Sequence, residues 1–97
     1  MAQSRIAIIG TGLIGTSIGL GLMSRKDRTY EVVGIDRDRG HAREAKKLGG
    51  LDREVGSIEE AVEGAGLIVL AVPVQGARRV LEEGGRYFAG EIGRAHV

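Results

Sequence analysis

The stretch of sequence that decides the fold is Gly10-Thr11-Gly12-Leu13-Ile14-Gly15, which has the pattern G-x-G-x-x-G. It follows a short apolar run at 5–9, whose β-branched residues are typical of a strand that is buried on both faces. Apolar residues at helical spacing come next, over 13–25. The pattern therefore predicts a glycine-rich turn between a buried strand and a helix, an arrangement that suits a dinucleotide pyrophosphate.

Each glycine of this motif has a predicted role. Gly10 permits the tight turn out of the strand, Gly12 lets a pyrophosphate approach the backbone, and Gly15 lets the helix pack closely. The phosphates would then meet free N–H groups at the positive end of the helix. A phosphate-loop NTPase is excluded, because the lysine that should follow Gly15 is replaced by Thr16.

An acidic residue stands where a ribose-binding carboxylate is expected. Asp36 ends the second predicted strand, 30–35, and lies 21 residues after Gly15, close to the roughly 20-residue spacing of dinucleotide-binding sequences. A carboxylate here accepts hydrogen bonds from the adenosine ribose hydroxyls and repels a 2′-phosphate, so Asp36 favours NAD over NADP. Arg37 leaves NADP as the less favoured alternative, because an arginine beside the acid could reach a 2′-phosphate.

The rest of the chain continues the alternation of strands and helices. Ile14, Ile18 and Leu22 recur at spacing four and are expected to face the sheet. The rhythm predicts an α/β fold, a Rossmann-type parallel sheet with helices on both faces, in strand order 3-2-1-4 and limited to the first four strands. The further predicted elements are a helix at 38–47 with Ala42, Ala45 and Leu48 inward, a short edge strand within 51–55, a helix opened by the capping box at Ser57, a buried strand at 67–72 ended by Pro73, and a helix at 75–83 with Leu81 inward.

Composition excludes several classes of function. The formal net charge is +1, which gives no electrostatic basis for binding nucleic acid or an anionic membrane. No apolar run approaches the roughly 20 residues of a membrane span. There is no cysteine, so disulfides, thiolate metal sites and a cysteine nucleophile are excluded, and no metal site is predicted. We expect a cytoplasmic protein.

Three segments together resemble one known family, the prephenate/arogenate dehydrogenases of tyrosine biosynthesis. They are the turn with its flanks at 6–17, the strand end Val33-Gly34-Ile35-Asp36-Arg37, and Val69-Leu70-Ala71-Val72-Pro73-Val74. In that family the Ala-Val-Pro turn passes close to the cofactor ribose. The resemblance therefore adds Ala71, Val72 and Pro73 to the expected cofactor-binding residues, which otherwise are Gly10, Thr11, Gly12, Leu13, Ile14, Gly15, Asp36 and Arg37.

The resemblance also implies a reaction, a substrate and an assembly. Members oxidise and decarboxylate prephenate or arogenate: hydride passes to the nicotinamide, a histidine acts on the 4-hydroxyl, and loss of CO₂ aromatises the ring. They dimerise through a helical C-terminal domain. No residue here matches the family's catalytic histidine or its substrate-binding arginine, because His41 falls in the second helix and His96 in the tail. We expect the chain alone to be inactive.

The sequence predicts a boundary near its end. Residues 91–97 match the translation of a common sequencing adapter, so we expect this tail to be non-native. Residues 1–90 are then the N-terminal part of the dinucleotide-binding domain.

Other functions remain open from the residues alone. A related β-hydroxyacid dehydrogenase or imine reductase shares much of the pattern, and a regulatory module that senses NAD needs the same turn and acid. A methyltransferase that binds S-adenosylmethionine is disfavoured, because it does not need the third glycine, Gly15.

Overall fold

Alternating strands and helices make up the part of the chain that the structure describes. The structure is a computed structural model, and it describes residues 4–72, 78 and 81–82. The elements in chain order are β1 (Ser4–Ile9), α1 (Leu13–Met23), β2 (Tyr30–Ile35), α2 (Arg39–Lys47), β3 (Arg53–Glu54), α3 (Ile58–Val62) and β4 (Ala65–Leu70). The predicted tail and most of the predicted last helix lie outside the described residues.

The strands form one parallel sheet in the order β3-β2-β1-β4, as predicted. β1 is central and pairs with β2 from Ser4↔Tyr30 to Ile9↔Ile35, and with β4 on its other side. β3 is a two-residue edge strand held on β2. The Rossmann-type α/β fold predicted from the sequence is confirmed.

The two central strands are buried on both faces, because successive side chains point to opposite sides of a strand. Ala7 and Val33 face one side and pack with residues of α3. Ile8 and Val32 face the other side, where Ala45 of α2 and Leu51 complete the cluster. The continuous apolar runs in β1 and β2 therefore mark strands covered by helices on both faces.

The predicted sheet-facing stripe of α1 is wrong at two of its three positions. Ile14 is 68% exposed and Ile18 is also exposed, whereas Gly15 and Gly19 are buried and Leu22 packs against the core. A Cβ on Gly19 would overlap the carbonyl group of Gly50. The helix therefore turns its glycines inward, and Ile14 and Ile18 rotate outward.

Three other expectations about burial are corrected. Leu48 is exposed, and Leu51 fills the place expected for it. β4 begins and ends two residues earlier than predicted and is mostly not buried, with Leu67 and Leu70 exposed. Its outer edge has no partner strand among the described residues. Leu81 is also exposed.

Side-chain caps fix where α2 and α3 begin. Asp38 accepts a hydrogen bond from the backbone N–H of Gly40 at 2.8 Å, and Ser57 accepts one from that of Glu60 at 3.1 Å. Each cap satisfies a backbone donor that the first turn of a helix leaves unpaired. The Ser57 cap confirms the helix start predicted at this position.

A bidentate ion pair joins the segments that enter β2 and β3. The Nη1 and Nη2 atoms of Arg28 lie 2.8 and 3.0 Å from the two carboxylate oxygens of Asp52. The backbone N–H of Val32 also donates to Asp52, at 2.8 Å. The hydrogen bond from Arg28 lowers the pKa of Asp52 below its ordinary 3.8, although partial burial opposes this shift.

This shift predicts a contribution to stability that depends on pH. Because the pKa of Asp52 is lower in the folded chain, the contribution is present above the unfolded value of about 3.9 and is lost as the pH falls through the folded pKa. Asp52→Asn should therefore lower the free energy of unfolding by about 1 kcal/mol at neutral pH. Urea titrations at neutral pH and at a pH below the unfolded value should show this difference shrinking as the pH falls. An equal difference at both pH values would contradict the assignment.

Within the part of the chain that the structure describes, no helix is long and apolar enough to cross a membrane.

Candidate functional site

The carboxyl ends of three strands meet at the glycine-rich turn. The backbone N–H of Gly10 donates to Ile35 O at the end of β2, at 2.8 Å. The N–H of Ala71, just after β4, donates to Ile9 O at the end of β1, also at 2.8 Å. In open parallel sheets, ligands bind beyond these strand ends. The turn therefore lies where such a sheet places its ligand.

Gly10 is required by its conformation and by its neighbours. Its φ is +100°, a value that residues with a side chain rarely adopt. A Cβ at this position would lie 2.5 Å from both Ala71 O and Val72 Cγ1. The structure thus brings Ala71 and Val72 directly against the turn. Pro73, the third residue of the predicted Ala-Val-Pro contact, lies outside the described residues.

The N-terminus of α1 opens onto free space. Gly12 is the N-cap, and among the described residues no side chain caps it. The first backbone hydrogen bond of the helix runs from Thr16 N–H to Gly12 O, so the N–H groups before it are free of helical partners. Within the part of the chain that the structure describes, a Cβ on Gly12 would meet nothing within 4 Å. The approach to these donors is open, as a pyrophosphate requires.

The remaining residues of the motif divide into one that packs and two that are exposed. A Cβ on Gly15 would overlap the carbonyl group of Gly10, so Gly15 holds the turn against the helix. The role predicted for Gly15 was close packing of the helix on the sheet, and the contact found here is with the turn that follows β1. Leu13 is 86% exposed, and Ile14 stands exposed beside it. Both present apolar surface at the same end of α1.

The carboxylate of Asp36 is held against the turn by backbone donors. Its Oδ2 accepts from the backbone N–H of Thr11 at 2.6 Å and from the Thr11 hydroxyl at 3.3 Å. Its Oδ1 accepts from the backbone N–H of Asp38 at 2.9 Å. The side chain is only 14% exposed. Sequence spacing placed Asp36 at this end of the sheet, but gave no indication that Thr11 holds it.

Two exposed side chains, those of His41 and Arg37, lie close to the acid in space or in sequence. His41, which the sequence places in the second helix, is exposed, and its Nδ1 lies 3.7 Å from Asp36 Oδ1. Its Nε2 lies 3.7 Å from Asp38 Oδ2. Arg37 is exposed. The position of His41, five residues after the acid in the first turn of α2, is the only sequence signal that could have indicated this proximity.

These features can serve a ligand that carries both a diphosphate and a sugar diol. The open N-terminus of α1 offers backbone donors to phosphate oxygens. Asp36 offers a carboxylate acceptor to hydroxyl groups. Among the described residues, no atom lies within 4 Å of a Cβ placed on Gly12, so there is room for a phosphate beside it. The residues present therefore fit a dinucleotide.

The model of one protein family matches residues 5–92, which is most of the chain. The chain belongs to this family, described as NADP oxidoreductase coenzyme F420-dependent. Two curated relatives of this oxidoreductase domain are prephenate dehydrogenases. The protein from Lactococcus lactis subsp. cremoris (strain MG1363) is 38% identical over 81 residues, and that from Bacillus subtilis (strain 168) is 35% identical over 81 residues. Each alignment covers 84% of this chain and 22% of the relative.

Solved structures of the same kind share the fold of this oxidoreductase domain. The arogenate dehydrogenase of Synechocystis is 25% identical with a TM-score of 0.71, over 81% of this chain and 27% of that one. The prephenate dehydrogenase of A. aeolicus, in complex with hydroxyphenyl propionate and NAD+, is 21% identical with a TM-score of 0.71, over 87% of this chain and 29% of that one. The resemblance predicted from the sequence is confirmed, and the chain spans about a quarter of the length of these relatives.

Proposed function

We propose that this chain is the cofactor-binding part of an NAD-dependent prephenate or arogenate dehydrogenase. The observation that carries the proposal is the position of Asp36, locked beside the open N-terminus of α1. A carboxylate and a set of free backbone donors, separated by an unobstructed glycine, match the ribose and pyrophosphate of a dinucleotide.

Each part of the site has a proposed task. The N–H groups at the start of α1 bind the pyrophosphate, and Asp36 binds the adenosine ribose. Ala71 and Val72 lie beside the turn, and by resemblance they and Pro73 are assigned a contact close to the cofactor ribose. Leu13 and Ile14 offer apolar surface to the cofactor. When bound, NAD supplies the hydride acceptor for the oxidation.

The nature of the cofactor follows from the charge at the ribose. The family description names NADP and coenzyme F420. A glycerol-3-phosphate dehydrogenase of Nitrosospira multiformis, which is named with NAD(P)+, is 33% identical. Its alignment covers 81% of this chain and 27% of its own length. We assign the ribose contact to Asp36, a carboxylate with little exposure, and a carboxylate at that position repels a 2′-phosphate. We therefore assign NAD as the cofactor. NADP is the second candidate, because Arg37 is exposed beside the acid.

The proposed substrate is taken from the relatives. Prephenate dehydrogenases and an arogenate dehydrogenase recur among the similar proteins, which favours a cyclohexadienol carboxylate as substrate. Dimerisation through a C-terminal domain, a cytoplasmic location and a non-native tail at 91–97 remain predictions. Expressing the full-length gene and measuring NAD reduction with prephenate and with arogenate tests the activity. No turnover with either would contradict the substrate assignment.

Asp36→Asn should shift cofactor preference. The amide retains an acceptor for the Thr11 N–H but loses the negative charge, so NAD binding should weaken about tenfold and the ratio of NAD to NADP affinity should fall. Equilibrium dialysis of both cofactors against wild type and variant measures this, and thermal melting without ligand separates loss of binding from loss of fold.

Asp38→Asn is the matched control. It removes a neighbouring exposed carboxylate while keeping a side chain that caps α2 well, so cofactor preference should stay unchanged. If wild type already prefers NADP, Arg37 governs the site and the assignment of NAD is wrong.

A further inference from the structure

Among the described residues, one polar side chain is buried, that of Thr11. Thr11 is 2% exposed, and it lies between the glycine-rich turn and the end of β2. Its hydroxyl and its backbone N–H donate to the same oxygen of Asp36, Oδ2, at 3.3 and 2.6 Å. A buried hydroxyl needs a hydrogen-bonding partner, and Asp36 is the partner here.

Packing fixes the orientation of the Thr11 side chain. Its methyl group lies over Gly34 of β2, where an added Cβ would come within 3.0 Å of Thr11 Cγ2. The carbonyl oxygen of Thr11 accepts from the Thr16 hydroxyl of α1 at 2.9 Å. Held by β2 on one side and α1 on the other, the Thr11 hydroxyl is directed at the carboxylate.

The two carboxylate oxygens of Asp36 are therefore unequal. A carboxylate accepts about four hydrogen bonds, about two at each oxygen. Both positions on Oδ2 are taken by Thr11, whereas Oδ1 accepts one bond, from the Asp38 N–H. The acceptor position left for a ligand is on Oδ1.

We propose that Thr11 is the positioning residue that presents Asp36 Oδ1 to the 2′-hydroxyl of the adenosine ribose. This inference rests on the proposed function, because it assumes that a dinucleotide binds here. The side chain of Thr11, the second residue of the motif, thus contributes to ligand recognition indirectly, by holding Asp36. Without the hydroxyl, the carboxylate keeps the Thr11 N–H at Oδ2 and the Asp38 N–H at Oδ1, and it loses the second donor that restrains its rotation.

The test compares NAD with its 2′-deoxyadenosine analogue, because the ratio of the two affinities isolates the hydrogen bond to the 2′-hydroxyl. A merely structural loss weakens both ligands equally and leaves the ratio unchanged. The variant pair is Thr11→Ser and Thr11→Ala, which both lack the methyl group and differ only in the hydroxyl. Thr11→Val adds an isosteric comparison with wild type. Equilibrium dialysis on the 97-residue chain gives the affinities.

Wild type and Thr11→Ser should prefer NAD over the analogue by about tenfold, the size expected for a hydrogen bond to a charged acceptor. Thr11→Ala and Thr11→Val should prefer it less than about threefold. If Thr11→Val does not fold, the serine and alanine pair decides the question. Equal ratios in that pair overturn the role of Thr11 while leaving NAD binding in place. No binding of NAD by wild type overturns the proposed function itself.

Discussion

Gly12→Val is expected to abolish dinucleotide binding while leaving the fold intact. The structure supports the second half of this expectation, because a Cβ at Gly12 meets nothing within 4 Å and its φ of −72° is open to any residue. The side chain would stand in the path of the pyrophosphate, between the ligand and the free N–H groups of α1. Affinity for NADH should fall at least about 100-fold, which is about 2.7 kcal/mol. Titration followed by NADH fluorescence measures the loss of binding, and thermal melting of the free chain measures whether the fold is kept.

Gly21→Val provides the control on the same helix. A Cβ at Gly21 also meets nothing within 4 Å, but this residue lies near the other end of α1, away from the phosphate donors. Its variant should bind NADH as wild type does. Undiminished binding by the Gly12 variant would show that the phosphates bind elsewhere.

Gly15→Ala is expected to have the opposite profile, with severe loss of stability. The added methyl group would overlap the carbonyl group of Gly10, a backbone atom that cannot move without opening the turn. Overpacking typically costs about 1–3 kcal/mol, and contact with backbone puts this site at the upper end. For a domain of this size, the melting temperature should fall by about 12–24 °C.

The same substitution one and a half turns along α1 should act in the other direction. Gly21→Ala places its methyl group in open space among the described residues, and alanine is a better helix former than glycine. The variant should therefore raise the free energy of unfolding by about 0.5–1 kcal/mol. Melting curves of both variants check the contrast. A Gly15 variant as stable as wild type would mean that the turn and the helix are not in close contact.

Sequence patterns predicted the elements well where spacing is set by backbone geometry. The strand β2 and the position of Asp36 directly after it agree with the structure, as does the order of the four strands. A glycine-rich turn after a buried strand constrains what can follow, because only a helix packed closely on the sheet makes use of it.

Burial was predicted less well, because it depends on partners distant in sequence. Ile14 and Ile18 have the helical spacing of a buried stripe, but the requirement that α1 approach Gly50 turns Gly19 inward instead. No local sequence pattern indicates that Gly19 approaches Gly50. The same limit hid the hydrogen bonds between Thr11 and Asp36, which join residues 25 positions apart.

The central position of β1 has a consequence for how the chain is made. β1 is synthesised before both of its partner strands, and its partner β4 follows sixty residues later, with Arg5 opposite Ala65. At about 5–20 residues per second, one edge of β1 waits roughly 3–12 seconds for its partner to be translated. During that interval the strand of its own chain that can pair with β1 is β2, through the unit that contains α1. An apolar strand with an open edge is prone to pair with other chains, so the nascent protein is most exposed to aggregation before residue 65 has been added.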